Sequence, residues 1–277
     1  MKISLSSFLY FNYPLEDAIH RTAAAGYDGI DIWGGRPHAF VGDHTERELL
    51  SLRRLIASEG LGVASFIPAQ FRYPTSLCSS LPAIHRASIR YIQESIETAS
   101  ALGAPVVSIC PGHTLYGQSK AGGLERLREA VWEICEYAGR HGMQIAIEPA
   151  DRYETDLLNT CAETAEFIQG MGCQNLGILL DNGHALVVGE SSVAVLHQLG
   201  GQVFHIHIDD NNGLRDQHLV PGDGVFDFTP FIAALNAAGY QGYLGAELGW
   251  DYTIDPDPAA QQTVHRLKAI FQTVQVS

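Results

Sequence analysis

The chain has 277 residues, of which 46% are hydrophobic and 17% charged, so it can bury a large core. Disorder, a coiled coil and a disulfide-stapled miniprotein are excluded on that balance. Against 31 acidic residues stand 17 basic ones, and the net charge of −14 repels phosphate backbones and anionic lipid. Neither nucleic acid nor a membrane is an expected partner.

In chain order, the apolar run after Met1-Lys2 lacks a small-residue cleavage site and passes into Pro14-Leu15-Glu16-Asp17, a helix start rather than a secretory signal. Strand Ile3–Ser6 precedes that helix, and strand Gly29–Trp33 follows it. Helix Glu46–Ser58, opened by Thr45, leads to strand Gly62–Phe66, and helix Ile84–Leu102 to strand Val106–Cys110. Helix Leu124–Gly139 then precedes strand Gln144–Glu148, and helix Ala162–Met171 precedes strand Gly177–Asp181. Strand Val203–Asp209, helix Pro230–Ala238, strand Gly242–Glu247 and helix Ala259–Val274 complete the pattern. Glycines at 26, 60, 103, 142 and 239 stop helices just before strands. The longest uncharged stretch, Thr98 to Ser119, is broken by Gly103, Pro105, Pro111 and Gly112 and cannot span a bilayer. The five cysteines (78, 110, 135, 161, 173) are odd in number and show no C-x-x-C spacing, which points to a reducing, cytoplasmic compartment.

Eight strand–helix units of about 35 residues each predict an α/β fold, a (β/α)8 TIM barrel in one domain over residues 1–277. A doubly wound sheet would place a glycine-rich turn after the first strand, where this chain has SSFLYFNYP.

In such a barrel, function sits at the C-terminal ends of the strands. Strands five to eight end in Glu148, Asp181, the His205-Ile206-His207-Ile208-Asp209 segment and Glu247. If Ile145, Ile147, Ile178, Leu180, Phe204, Ile206, Ile208 and Leu244 face the helices, alternation turns Glu148, Asp181, His207 and Glu247 into the barrel mouth. Ala146, Leu179, His205 and Gly245 fall one layer beneath. Three carboxylates held together are costly without a cation. A set of two glutamates, one aspartate and one histidine suits one divalent ion: Mn2+ first, with Mg2+, Co2+ and Zn2+ as alternatives. Helix caps and salt bridges to arginines are the structural alternative for each residue taken singly.

The segment Gly26-Tyr27-Asp28-Gly29-Ile30-Asp31-Ile32-Trp33-Gly34-Gly35-Arg36-Pro37-His38-Ala39-Phe40 resembles the opening of fructoselysine 3-epimerase-type members of the xylose-isomerase-like barrels. Glu148-Pro149-x-x-Arg152-Tyr153-Glu154, followed by Leu158-Asn159-Thr160, resembles the fifth-strand segment of ketohexose 3-epimerases. Asp216-Gln217-His218 with Pro221-Gly222-x-Gly224 and Asp227-Phe228 resembles the loop after strand seven. The resemblance places the metal quartet on Glu148, Asp181, His207 and Glu247, and the acid–base pair on Glu148 and Glu247. It places substrate contacts on Glu154 and His184. The family's asparagine before the strand-five arginine is Asp151 here. Its substrate-binding arginine meets Gly213, with Arg215 as a replacement across a short insertion.

The implied activity is that of an isomerase: metal-dependent 3-epimerisation of a ketose or ketose derivative through a metal-stabilised enediolate, with a fructosamine as the leading substrate. Asp216 and His218 join the substrate-binding set. Arg36, Arg72, Arg152 and Arg215 lie in loops after strands, where Arg36 or Arg215 would hold a carboxylate handle. The alternatives are a dehydratase acting on a keto-polyol, an apurinic-endonuclease-like phosphodiesterase, and a non-catalytic binding barrel. For the nuclease, Glu148, Asp181, His184, His207, Asp216, His218 and Glu247 match most of a three-zinc set. Two early histidines are missing, and Cys110 stands where one is sought. A small-molecule sugar is the expected partner, bound by a monomer or by a homo-oligomer, dimer or tetramer.

Overall fold

The structure is a computed structural model and describes residues 1–70 and 75–276. Eight parallel strands close a barrel in chain order: β1 (Lys2–Ser6), β2 (Gly29–Gly34), β3 (Gly62–Pro68), β4 (Val106–Ile109), β5 (Gln144–Ile147), β6 (Leu176–Asp181), β7 (Val203–Ile208) and β8 (Tyr243–Ala246). Around it run α1 (Leu15–Ala25), α2 (Glu46–Ser58), α3 (Pro82–Leu102), α4 (Lys120–Arg140), α5 (Cys161–Ile168), α6 (Asn182–Val188), α7 (Ser192–Leu199), α8 (Phe228–Ala237) and α9 (Pro256–Val276). The expected TIM barrel is the observed fold.

Local signals explain the element ends. The Thr45 side chain accepts from the Glu48 N–H while Glu48 reaches back to Thr45, a capping box that starts α2. Gly26 and Gly103 close α1 and α3 with φ of 91° and 86°, a left-handed conformation that a side chain would strain. Helices α6 and α7 are absent from the sequence-based expectations. Helix α4 also starts earlier than expected, at Lys120 rather than Leu124. In the fold, Ser119 caps that helix and Gly123 lies tight against Thr114 and Leu157, where a Cβ would not fit. Among the described residues, no helix is long and apolar enough to cross a membrane.

The alternation expected for the strands holds with one exception. Ile145, Ile147, Ile178, Leu180, Ile206, Ile208 and Leu244 are fully buried in the cluster shared with the helices. Val106, Ala146 and Leu179 form a separate cluster inside the barrel, and Phe204 packs against it rather than against the helices. The cause is a register shift: Ile178 pairs with Val203 but Leu179 pairs with His205, so Phe204 is passed over. Its ring then occupies the space beside Gly177, where a Cβ would collide with it. The shift keeps His205 and His207 both facing inward and pairs His207 with Asp181.

Candidate active site

Above the apolar floor lies a buried polar layer. Asp31 of β2 accepts a hydrogen bond from Ser65 Oγ at 2.5 Å and has His205 Nε2 2.6 Å away. Burial alone would raise the Asp31 pKa, yet the His205 imidazole holds it below the ordinary carboxylate value. Gly245 leaves room for this carboxylate, since a Cβ there would stand 2.8 Å from Asp31 Oδ2.

The next layer holds the four strand-end residues. β5 and β8 stop one residue before their glutamates, but the ladder continues through Glu148 N–H to Ile109 O at 3.0 Å and Glu247 N–H to Ile208 O at 3.3 Å. These bonds fix where each glutamate side chain departs. His207 Nδ1 lies 2.9 Å from Glu148 Oε1, 2.9 Å from Glu247 Oε2 and 3.9 Å from Asp181 Oδ2. One donor atom from each of the four lies within 4.8 Å of the others. Asp181 caps α6: its Oδ1 accepts from the N–H groups of Gly183 at 2.7 Å and His184 at 3.0 Å. Its Oδ2 is buried with no hydrogen-bond partner. Burial and the neighbouring Asp216 push the Asp181 pKa up to about 6. Burial works against charge on His207 and Glu247 as well, but each stabilises the other. Imidazole protonation is favoured well above its usual range, and the Glu247 pKa falls to about 2.

This donor set fits a divalent cation. It is oxygen-rich with one imidazole, as hard and borderline ions prefer. A positive charge would offset the desolvation of Asp181 Oδ2 and replace the lone imidazole shared by three carboxylates.

A second cluster adjoins the first. His184 Nδ1 lies 3.1 Å from Asp216 Oδ2, and His184 Nε2 lies 3.9 Å from Glu154 Oε2. Although burial opposes it, Asp216 and Asp181 raise the His184 pKa to about 10. Glu154 is itself pushed up to about 7, chiefly by burial. His218 Nδ1 lies 2.6 Å from Asp209 Oδ2, and Asp181, Asp209, Asp216 and His218 also come within 4.8 Å of one another. Asn182 ties β6 to β7 by exchanging two hydrogen bonds with the Asp209 backbone, at 2.9 and 3.0 Å. Gly183 permits the approach: a Cβ there would overlap the Asp209 and Asp216 carboxylates.

The structure thus brings together the expected Glu148, Asp181, His207, Glu247, His184, Glu154, Asp216 and His218. Arg36 is not among these paired groups: its exposed guanidinium makes a two-pronged pair with Asp43 at 2.6 and 2.8 Å and lies over the Phe40 ring. Arg215 is exposed and sits 5.2 Å over the Tyr153 ring, at the rim. Arg72 lies outside the described residues. Sequence reasoning alone passes over Asp31 and Asp209. Asp31 carries a signal, since a carboxylate between Ile30 and Ile32 in a buried strand needs an inward partner.

The sequence model of the xylose isomerase-like TIM barrel family matches residues 19–270, and the chain belongs to that family. It is 28% identical to the fructoselysine 3-epimerase of Shigella flexneri, with 98% of each chain covered. It is 25% identical to the ketose 3-epimerase of Arthrobacter globiformis, over 87% of this chain and 79% of that one. Among solved structures, a D-tagatose 3-epimerase-like protein superposes with a TM-score of 0.84 at 24% identity, covering 99% and 98% of the two chains. The chain is accordingly an enzyme of the isomerase class.

Proposed function

We propose that this protein is a metal-dependent carbohydrate epimerase that inverts C3 of a ketose, with Glu148 and Glu247 as its acid–base pair. The observation that carries the reading is the placement of both carboxylates 2.9 Å from one imidazole nitrogen, on strands that lie apart around the closed barrel. Similarity to fructoselysine and ketose 3-epimerases supports the choice of sugar and of carbon.

Glu148, Asp181, His207 and Glu247 would hold one divalent cation, Mn2+ foremost. When bound, that ion supplies Lewis acidity to a carbonyl and an adjacent hydroxyl oxygen. The proton on the carbon beside the carbonyl goes to one glutamate, giving an enediolate. The other glutamate returns a proton to the opposite face, and the carbon is inverted. His184 and Glu154, held 3.9 Å apart at the edge of the cluster, orient hydroxyls. Asp216 keeps His184 charged and in place, and His218 is fixed by Asp209.

Turnover of free ketohexoses tests the pair. Glu148→Gln and Glu247→Gln are each expected to lower kcat by at least the ~10²–10⁴-fold of lost acid–base catalysis. His184→Ala and Glu154→Ala are expected to raise KM with turnover still measurable. Either glutamine variant working at near wild-type rate would contradict the scheme.

A further inference from the structure

The motif Pro221-Gly222-x-Gly224, which no step of the proposed reaction uses, wraps around a single carboxylate. Asp210 is the second residue after β7 and is fully buried. Its Oδ2 accepts from the N–H groups of Gly222 at 2.8 Å and Gly224 at 2.9 Å. Its Oδ1 accepts from Asn211 N–H at 2.9 Å and Phe226 N–H at 3.0 Å. Burying a carboxylate is costly unless its oxygens are hydrogen-bonded, and four backbone donors meet that requirement. The glycines admit it. Gly222 has φ of 91°, and a Cβ on Gly224 would stand 2.3 Å from both Asp210 Oδ1 and Asn211 O.

This clasp fixes both ends of the loop between β7 and α8. Asp210 N–H donates to Leu219 O at 2.9 Å, Leu219 N–H donates to Asp210 O at 2.7 Å, and Val225 N–H donates to Asn211 O at 2.9 Å. Between these ties the chain forms an arc from Asn211 to His218. Leu214 and Val225 at its outer edge are exposed, so directional bonds hold this edge rather than apolar packing. Within the arc His218 has φ of 47°, a left-handed conformation that a residue with a Cβ keeps only where its surroundings impose it. The Asp210–Leu219 bridge begins at the next residue, and Gly249 N–H donates to His218 O at 2.9 Å. From that backbone, His218 Nδ1 comes 2.6 Å from Asp209 Oδ2, and its Nε2 comes 3.6 Å from Asp216 Oδ2. Asn211 Nδ2 donates to Gly183 O at 3.0 Å and to Asp216 Oδ1 at 3.4 Å. Asp216 in turn stands 3.1 Å from His184 Nδ1.

We infer that Asp210 is a positioning residue of the active site. Its carboxylate, seated among the N–H groups of residues 211, 222, 224 and 226, sets the arc that holds Asp216 against His184. It thereby fixes the imidazole that orients substrate hydroxyls, an inference that rests on the proposed epimerase reading. Its own hydrogen bonds run to loop N–H groups, so loosening it disturbs sugar binding and leaves the cation-binding quartet intact.

Two variants attack the clasp from opposite sides. Asp210→Asn turns one acceptor into a donor that faces N–H groups, and Gly224→Ala forces a Cβ against the carboxylate. Each is compared with Mn2+-loaded wild type on whichever of fructose, psicose and tagatose the wild type epimerises fastest. KM is expected to rise by about tenfold or more, while kcat and the calorimetric Mn2+ affinity each change by less than about threefold. In a His184→Ala background, either change is expected to raise KM by less than about threefold further, because the group through which it acts is gone. Unchanged KM in both variants, parallel losses of kcat and Mn2+ affinity, or a full effect retained without His184 would overturn the assignment. So would the absence of a folded thermal melt in both variants, which would make Asp210 an element of stability alone. If the wild type inverts none of the three sugars, the epimerase reading fails. The positioning role is then judged on the dissociation constants of the same sugars, read by saturation-transfer NMR in the same variants, and absence of binding to the wild type overturns both.

Discussion

His207 can present only one ring nitrogen to a cation, and the neutral ring then carries its proton on the other. Nδ1 faces the carboxylates, so Nε2 must be the donor, yet it is buried without a hydrogen-bond partner. The anion on that side is Asp31, whose Oδ2 is equally without a partner. One donor atom each from Asp31, His205 and His207 comes within 4.8 Å. Asp31, steadied by Ser65 and His205, thus biases the His207 tautomer that a cation needs. Asp31→Asn is expected to weaken Mn2+ binding about 10–100-fold, read by calorimetric titration without substrate. Unchanged affinity would show that Asp31 serves packing alone. The four quartet residues were legible in the sequence because strand ends in a barrel share one rim and alternation fixes their face. Asp209 was not legible. It directly follows β7, and its role depends on the Asn182 clasp and on a loop that returns His218 to it, neither of which has a period.

At the scale of elements, the loops after β1 and β2 are locked by one histidine. His38 is 1% exposed; its Nε2–H faces the carbonyls of Tyr10 and Tyr13 at 3.2 and 3.1 Å, and its Nδ1 faces Ser7 Oγ at 3.0 Å. Burial disfavours the charged ring and pushes its pKa down to about 4, against hydrogen bonds that favour the proton. In the unfolded chain the value is about 6.5, so the unfolded state binds the proton more readily. The contribution is complete above pH 6.5 and is lost as pH falls toward 4. It amounts to about 2 kcal/mol between pH 7.5 and pH 5. Urea unfolding at these two pH values should show a decrease smaller by about that amount in His38→Gln, whose amide does not titrate. An identical decrease in both proteins would contradict the assignment. Alternation and glycine stops found all eight strands because period and punctuation are local. They misplaced Phe204, because the β6–β7 register shift is a property of two strands together. They missed α6, because its start is set by the Asp181 cap rather than by an apolar stripe.

Taken as a whole molecule, the barrel divides its mouth into sectors. β5 to β8 contribute the carboxylate–imidazole cluster. Phe8, Phe11, Trp33 and Trp250, which pack edge-to-face or stacked with one another, form an aromatic wall beside the ends of β8, β1 and β2. A cavity lined in part by Cys110 and Glu154 opens over β3 and β4. A sugar lying across the centre would meet donors for a cation on one side and aromatic ring faces on another. The net charge of −14 suits an uncharged substrate and a bound cation alike. The central claim is that Glu148 and Glu247 exchange the proton on C3 of a ketose across a cation-dependent site. NMR of a ketose incubated in deuterium oxide with Mn2+-loaded protein reads this directly, with a chelator-treated sample as the reference. Deuterium at C3 together with the C3 epimer, and neither product after chelation, is expected. Label confined to C1, loss of a hydroxyl from the carbon skeleton, or equal exchange in the chelated sample would contradict it.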